Sequence, residues 1–425
     1  MSSWPAPVAS GPVTGRVVVP GSKSASARAL MLAAIADGAS RLIGVLDSRD
    51  TALMKAGLTT LGAQFSELPD GALLVEPIDL AAGGGTIDVG LAGTVLRFLP
   101  AVAVLADQPT HFVGDAAATA RPVAPLLDAL ATAGAWVSTP RRLPFSVAGG
   151  PAFHGGNVDL DASGSSQFVS ALLLAGARYH DGIRVHHTGQ SLPSRPHIAM
   201  TGIMLARHGV LVDSPDERTW RVDPGPIRAV DEVVEPDLTN AASLLAAAVI
   251  TGGTLTTAWP SDSVQAADDL AGVLSAFGGV LEYHTTETGR ELTVTGSGAR
   301  GAEVDLHAVS ELTPVAAALA AVADGPSLIR GVAHIRGHET DRLKALATEL
   351  NKLGTRVRET ADGLVIEPGR RHGSTFATYA DHRMAHAGAL IGLVTPGVEL
   401  DDVACTTKTL PDFPGLWTHL VKAQR

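Results

Sequence analysis

The chain has 425 residues, 45% of them apolar and 18% charged, with a formal net charge of −11 and a mean hydropathy of +0.21. This is the composition of a core-rich globular chain with room for two or three domains, not of a disordered or fibrous one. The acidic balance and the lack of any Lys/Arg run argue against nucleic acid as a partner, and the single cysteine, Cys405, excludes a disulfide framework or a cysteine-based zinc site.

Taken in chain order, the opening MSSWPAPVASGPVTG lacks the charged-then-apolar pattern of a signal peptide. No apolar run reaches the roughly 18 residues of a membrane span. A cytoplasmic protein without a membrane partner is expected. VTGRVVVPG reads as a strand, up to about Val19, that belongs to no complete unit before it and is expected to pair with the far end of the chain.

Two series of helices then alternate. One is amphipathic: TALMKAGLTTLGAQF, APLLDALATAGAWVS, AMTGIMLARHGVLVD, ADDLAGVLSAFGGVLE and DRLKALATELNKLGTRVR. Each closes on a glycine (Gly62, Gly134, Gly209, Gly278, Gly354) suited to a left-handed helix end, and each feeds a short strand. The glycines recur at roughly 70–75 residues, too long for a solenoid and regular enough for duplicated units. The other series is apolar on nearly every face: ARALMLAAIADG, TVLRFLPAVAVLAD, SQFVSALLLAGARYHDG, LTNAASLLAAAVITGG, LTPVAAALAAVADG and HRMAHAGALIGLVTPG. Helices of that kind must be buried all round. The last has only a reduced amphipathic partner, FPGLWTHLV. The pattern predicts six α/β units, three per domain, with the break near EVVEPDLTN.

The buried helices open on SKSASAR, LAGTVLR, SGSSQF, EPDLTNA, SELTP and YADHRM. Ser22 or Ser24 can cap the first. Lys23, Arg28, Arg97 and Arg383 lie in or near first or second turns, where the helix dipole disfavours cations. Capped ends with snorkelling side chains would explain any one of them. Several together suggest anion sites, in which helix N–H groups and hydroxyls work with Lys or Arg. Ser165, Ser166 and Gln167 offer hydroxyls and an amide, HIRGHETDRL concentrates His334, Arg336, His338, Glu339, Asp341 and Arg342, and Arg121 and Lys408 sit in loops. The histidines are scattered and form no metal constellation. AAGGGTIDVG reads as a loop without dinucleotide-fingerprint spacing, and GSSQF is not a hydrolase elbow.

PGSKSASAR, LAGTVLR, ARPVAPLLDAL, SSQFVSALLL, HETDRL, YADHRMAHAG and TTKTLPDFPGLW, in that order from Pro20 to Trp417, resemble the 5-enolpyruvylshikimate-3-phosphate synthase family (3-phosphoshikimate 1-carboxyvinyltransferases of the shikimate pathway). The resemblance implies an α/β fold of two similar domains. Each has three βαβαββ units around a pseudo-threefold axis, with buried helices inside and sheets outside. Residues 20–235 would form the first domain, mainly the shikimate 3-phosphate side. Residues 1–19 plus 236–425 would form the second, mainly the phosphoenolpyruvate side, with the active site in the interdomain cleft. The implied reaction transfers the enolpyruvyl group of phosphoenolpyruvate to the 5-hydroxyl of shikimate 3-phosphate by addition–elimination and releases phosphate. No cofactor or metal is implied, a monomer is expected, and glyphosate is expected to inhibit in competition with phosphoenolpyruvate.

Residue by residue, the resemblance assigns Lys23, Ser24, Arg28, Ser165, Ser166, Gln167, Ser194, Glu311 and His338 to shikimate 3-phosphate. It assigns Lys23, Gly93, Arg121, Gln167, Arg342, Arg383 and Lys408 to phosphoenolpyruvate. Lys23, Glu311, Glu339 and Lys408 are the implied catalytic groups. Glu311 would take the hydroxyl proton and Glu339 would protonate the methylene carbon, a role that partial burial would favour. Asp381 and His382 would support Arg383. Ala27, Leu91, His197 and His338 stand where many members have Asn, Asn, Tyr and Lys, and the charge of a histidine depends on pH. Two alternatives share the fold. A UDP-N-acetylglucosamine enolpyruvyl transferase would typically carry a cysteine that ATARPVAP lacks, and a non-catalytic anion-binding protein would have lost acid–base groups that are present here.

Overall fold

The computed structural model describes residues 3–78, 84–106, 108–150, 153–287 and 289–422. Helices follow one another as α1 (Lys23–Ala34), α2 (Arg49–Thr60), α3 (Gly93–Ala103), α4 (Ala124–Thr132), α5 (Gln167–Gly176) and α6 (Pro196–Arg207). The second half repeats the series with α7 (Leu238–Thr251), α8 (Ala267–Ala276), α9 (Thr313–Val322), α10 (Arg342–Lys352), α11 (His382–Gly392) and α12 (Phe413–Lys422). The odd-numbered helices are the apolar series, and every residue of α3 and α11 is buried. The even-numbered ones bury one stripe, as α2 does with Met54, Gly57 and Leu58. FPGLWTHLV is not a reduced remnant: α12 has 10 residues, as many as α8.

The chain forms two compact units, one running Gly21–Glu235 and the other up to Pro20 and again from Pro236. Gly21–Glu235 carries three four-stranded sheets of one design. In one of them Gly156–Leu160 runs parallel to Ile183–His187, which pairs antiparallel with Thr219–Val222, and Val212–Asp216 closes the edge. Gly85–Asp88 opens a second such sheet beside Thr110–Val113, so that part of the expected AAGGGTIDVG loop is strand. The parallel ladder pairs backbone groups that a loop would leave to water. Residues 81–83 of that stretch lie outside the described residues.

The opening strand needs correction. Thr14–Arg16 pairs parallel with Thr254–Ala258, not with the far end of the chain, and it is Trp4–Pro5 that pairs with Glu399–Leu400. The reason is a position left open in each first sheet. Elsewhere the strand before a buried helix runs parallel to the strand after it, as around α3 and α5. The strand before α7, Glu232–Val233, instead pairs with Ser40–Ile43, which follows α1. The strand before α1 takes the corresponding place beside Thr254–Ala258, which follows α7.

Candidate active site

In Gly21–Glu235, the helix that opens with Lys23 is capped by Ser22, whose Oγ accepts from Ala25 N at 3.3 Å. Lys23 and Ser24 therefore sit in its first turn. Arg28 turns inward and is 1% exposed. It donates to Thr201 Oγ1 (2.9 Å), Ser24 O (2.9 Å), Ser170 Oγ (3.3 Å) and His197 O (3.0 Å), tying α1 to α5 and α6. All four acceptors are neutral, and burial pushes the guanidinium down to about 9, so it stays charged at neutral pH. A buried charge without a counter-ion is costly, and a nearby anion would offset that cost. Four bonds leave one of its five N–H groups, on Nη1, for such a ligand.

The start of α5 gathers Ser165, Ser166 and Gln167. Ser165 Oγ accepts from Gln167 N at 3.2 Å, and the buried Ser166 makes no cap bond. Arg97 Nη1 donates to Gln167 Oε1 at 2.8 Å, which orients the amide so that its NH2 remains as the donor. Ser194, buried just ahead of α6, is held at φ +51°, a left-handed conformation costing a non-glycine residue about 1–2 kcal/mol. Gly93 opens α3. A Cβ there would lie 2.7 Å from Arg121 Nη2, so the guanidinium lies over the helix start. Arg121 Nη1 donates to Leu91 O at 2.8 Å, while its Nε is buried without a hydrogen-bond partner. The contact uses the backbone of Leu91, so its side-chain departure leaves that contact intact.

The other unit builds its cluster on Arg342, the first residue of α10, whose side chain is 0% exposed. Nε and Nη2 clamp Asp381 at 2.7 and 3.2 Å, Nη1 donates to Glu311 Oε2 at 2.8 Å, and Nη2 donates to Glu339 Oε2 at 3.0 Å. Lys408 Nζ holds the other oxygen, Glu339 Oε1, at 2.7 Å. Asp381 also accepts from Arg383 N at 2.9 Å, and so fixes the start of α11. Arg383 Nη1 donates to Asn240 Oδ1 at 3.2 Å, and its Nε lies 3.8 Å from Glu311 Oε2 without forming a hydrogen bond.

Burial pushes the Glu311 carboxyl up, but Arg342, His338 and Arg383 outweigh it and hold the group well below the usual carboxylate range. Burial also holds His338 down to about 3, so its charge does not change near neutral pH, contrary to the sequence expectation. Arg342 Nη1 lies 3.0 Å from His338 Nδ1, and an arginine can only donate. Nδ1 is then the acceptor, the 3.6 Å approach to Glu311 Oε1 is not a hydrogen bond, and Nε2–H is the free donor. Glu339 thus accepts from both Arg342 and Lys408, one on each carboxyl oxygen.

Asn240 and Thr409 are additions. Asn240 Nδ2 donates to Thr409 O at 3.2 Å while its Oδ1 holds Arg383. The string EPDLTNA contained Asn240, but an amide beside a cap looks like ordinary helix-start chemistry. One further juxtaposition escaped the sequence. His154, His180 and Asp181 meet at the surface, the one group of possible metal ligands among the described residues, where the chain at Gly155 packs against Gly182.

A sequence model described as EPSP synthase (3-phosphoshikimate 1-carboxyvinyltransferase) matches residues 8–417. The chain belongs to the EPSP synthase family. As a member it is a transferase that moves the enolpyruvyl group of phosphoenolpyruvate to shikimate 3-phosphate in aromatic biosynthesis. The fold is shared with an EPSP synthase from Acinetobacter baumannii, at 23% identity over 98% of this chain and 97% of that one, with a TM-score of 0.81. The enolpyruvyl transferase NikO from Streptomyces tendae is similar at 19% identity over 97% and 96% of the two chains, with a TM-score of 0.76. The family match, and not the fold, carries the acceptor. No helix among the described residues is long and apolar enough to cross a membrane.

Proposed function

We propose that the two clusters divide the labour of the enolpyruvyl transfer. Lys23, Ser24, Arg28, Ser165, Ser166, Gln167 and Ser194 bind shikimate 3-phosphate, with Glu311 and His338 at its ring hydroxyls. Lys23, Gly93, Arg121, Gln167, Arg342, Arg383 and Lys408 bind phosphoenolpyruvate. Both substrates are polyanions, and bringing them together in water is repulsive. Fixed cations and helix N-termini remove that repulsion and orient the reactants. Glu311 accepts the 5-hydroxyl proton as the oxygen attacks. The Glu339–Lys408 pair delivers a proton to the methylene carbon, and the tetrahedral adduct then loses phosphate and a proton. Because Glu339 accepts from Lys408 at 2.7 Å, the proton it passes on is drawn from the ammonium side of the pair. No step calls for a cofactor or a metal.

The observation that carries this reading is the Arg342 cluster, where one guanidinium fully buried at a helix start spans Glu311, Glu339 and Asp381. A structural ion pair needs one carboxylate. Three around one arginine, with Lys408 and Arg383 added, form a charge network that incoming anions can rearrange. The first experiment is phosphate release from phosphoenolpyruvate with shikimate 3-phosphate, using UDP-N-acetylglucosamine as the control acceptor. Release with shikimate 3-phosphate alone is expected, and Glu311→Gln should lower kcat by about 10²–10⁴-fold. Release unaffected by Glu311→Gln would remove the assigned base. The same reading makes the protein a cytoplasmic monomer, checked by light scattering, and glyphosate an inhibitor competitive with phosphoenolpyruvate, checked by its effect on KM.

A further inference from the structure

Glu349 is a buried carboxylate that this chemistry does not use. It lies on α10 two helical turns after Arg342, on the same face. Its Oε1 accepts from Tyr379 Oη at 2.9 Å and its Oε2 from Ala377 N at 3.0 Å, with Lys352 Nζ at 2.8 Å. Tyr379 and Ala380 are both held at φ +55°, left-handed conformations that non-glycine residues adopt only when their surroundings impose them. The residue after this strained pair is Asp381, which clamps Arg342 and fixes the start of α11. One helix thus grips the turn at both ends, through Glu349 before the strain and Arg342 after it. Thr378, between them, is held from the other side by Asp401 Oδ1 at 2.8 Å to its N–H and 2.9 Å to its hydroxyl.

We infer that Glu349 is a positioning residue for the reaction. Its bonds to Ala377 N–H and the Tyr379 hydroxyl hold the left-handed turn that presents Asp381 to Arg342 and Arg383. The inference rests on the proposed reading of Arg342 and Arg383 as phosphoenolpyruvate ligands. When the grip is lost the turn relaxes, Asp381 shifts, and the two guanidinium groups lose register. A small misplacement of positioned groups costs far more than the bonds themselves. Lys352 provides the internal control, because it pairs with the same carboxylate from a 40% exposed side chain and its hydrogen bond goes to that carboxylate, not to the turn.

The test uses Glu349→Ala, Tyr379→Phe, Lys352→Met and Arg342→Lys in the full chain, with steady-state kinetics for both substrates and thermal melts. Glu349→Ala should raise KM for phosphoenolpyruvate about tenfold or more, with KM for shikimate 3-phosphate within about twofold. Tyr379→Phe should shift the same constant by a smaller factor, and serves if Glu349→Ala does not fold. Lys352→Met should lower Tm slightly and leave both constants unchanged. Equal effects on both substrates, or a Lys352→Met variant that matches Glu349→Ala, would show general structural damage and overturn the inference. If Arg342→Lys raises KM for phosphoenolpyruvate and Glu349→Ala and Tyr379→Phe do not, the inference alone falls. If Arg342→Lys has no effect on phosphoenolpyruvate, the reading of the arginine cluster fails and takes the inference with it.

Discussion

Two single positions show how little space the site leaves. Gly93 has no side chain because the Arg121 guanidinium occupies the place of one, 2.7 Å from an added Cβ. Gly93→Ala should push that guanidinium aside at an overpacking cost of about 1 kcal/mol or more. KM for phosphoenolpyruvate should rise several-fold, with kcat and KM for shikimate 3-phosphate nearly unchanged; an unchanged KM for phosphoenolpyruvate would detach Arg121 from that substrate. Arg28 shows the opposite situation. It reads as a cation at a dipole-disfavoured helix start and is a buried brace whose hydrogen-bond acceptors are all neutral. Its charge is the part of it that only an anion can satisfy.

At the scale of elements, the N-terminal caps of α2 and α11 differ in what they do. The cap of α2 is reciprocal: Ser48 Oγ accepts from Thr51 N at 3.3 Å and Thr51 Oγ1 accepts from Ser48 N at 3.0 Å. Its reach beyond the helix is local, through the Thr51 hydroxyl to Leu46 O at 2.6 Å. Ser48→Ala should cost about 1 kcal/mol of stability and leave the kinetics unchanged. The cap of α11 is Asp381, which also carries Arg342. Asp381→Asn removes a charge from a fully buried pair, which costs about 3–5 kcal/mol when one partner is truncated. It should therefore lower both Tm and kcat/KM. Melts and kinetics on the two variants separate the roles, and a purely structural loss in Asp381→Asn would contradict the assignment.

For the whole molecule, the buried histidines set the acid limit of stability. His386 and His338 are held down to about 3 and His334 to about 4, in each case chiefly by burial, from 6.5 when free. Between those values and pH 6.5 the unfolded chain binds protons that the folded chain does not, so stability falls as pH falls. Tm should be flat above about pH 7 and drop steadily towards pH 4, each of these three taking up a proton on unfolding. His386, on α11 against the Phe413 ring at 4.9 Å, has neither ring nitrogen hydrogen-bonded. His386→Leu should therefore raise Tm more at pH 5 than at pH 7.5, and equal shifts at both would mean that His386 does not titrate on unfolding. The Glu311 carboxyl, held below its ordinary range, adds stability above about pH 4.5 that is lost only in stronger acid.

What the sequence determined by itself was the repeat and the polar character of the helix starts. Hydrophobic period, glycine-closed helices and polar helix starts are local signals, and they laid out six units, both helix series and the residues that crowd the first turns. Cations at dipole-disfavoured positions could be read without coordinates because the helix field is a property of the backbone. The tertiary structure alone decided which strand completes which sheet, because strand pairing depends on partners hundreds of residues apart; Thr14–Arg16 met Thr254–Ala258 and not the far end. It also decided what surrounds each cation. Arg28 and Arg342 carry the same charge, yet one is surrounded by neutral acceptors and the other by three carboxylates. The protonation of His338, the partners of Glu339 and the grip of Glu349 on the turn before Asp381 depend on burial and long-range contact, which no local pattern encodes.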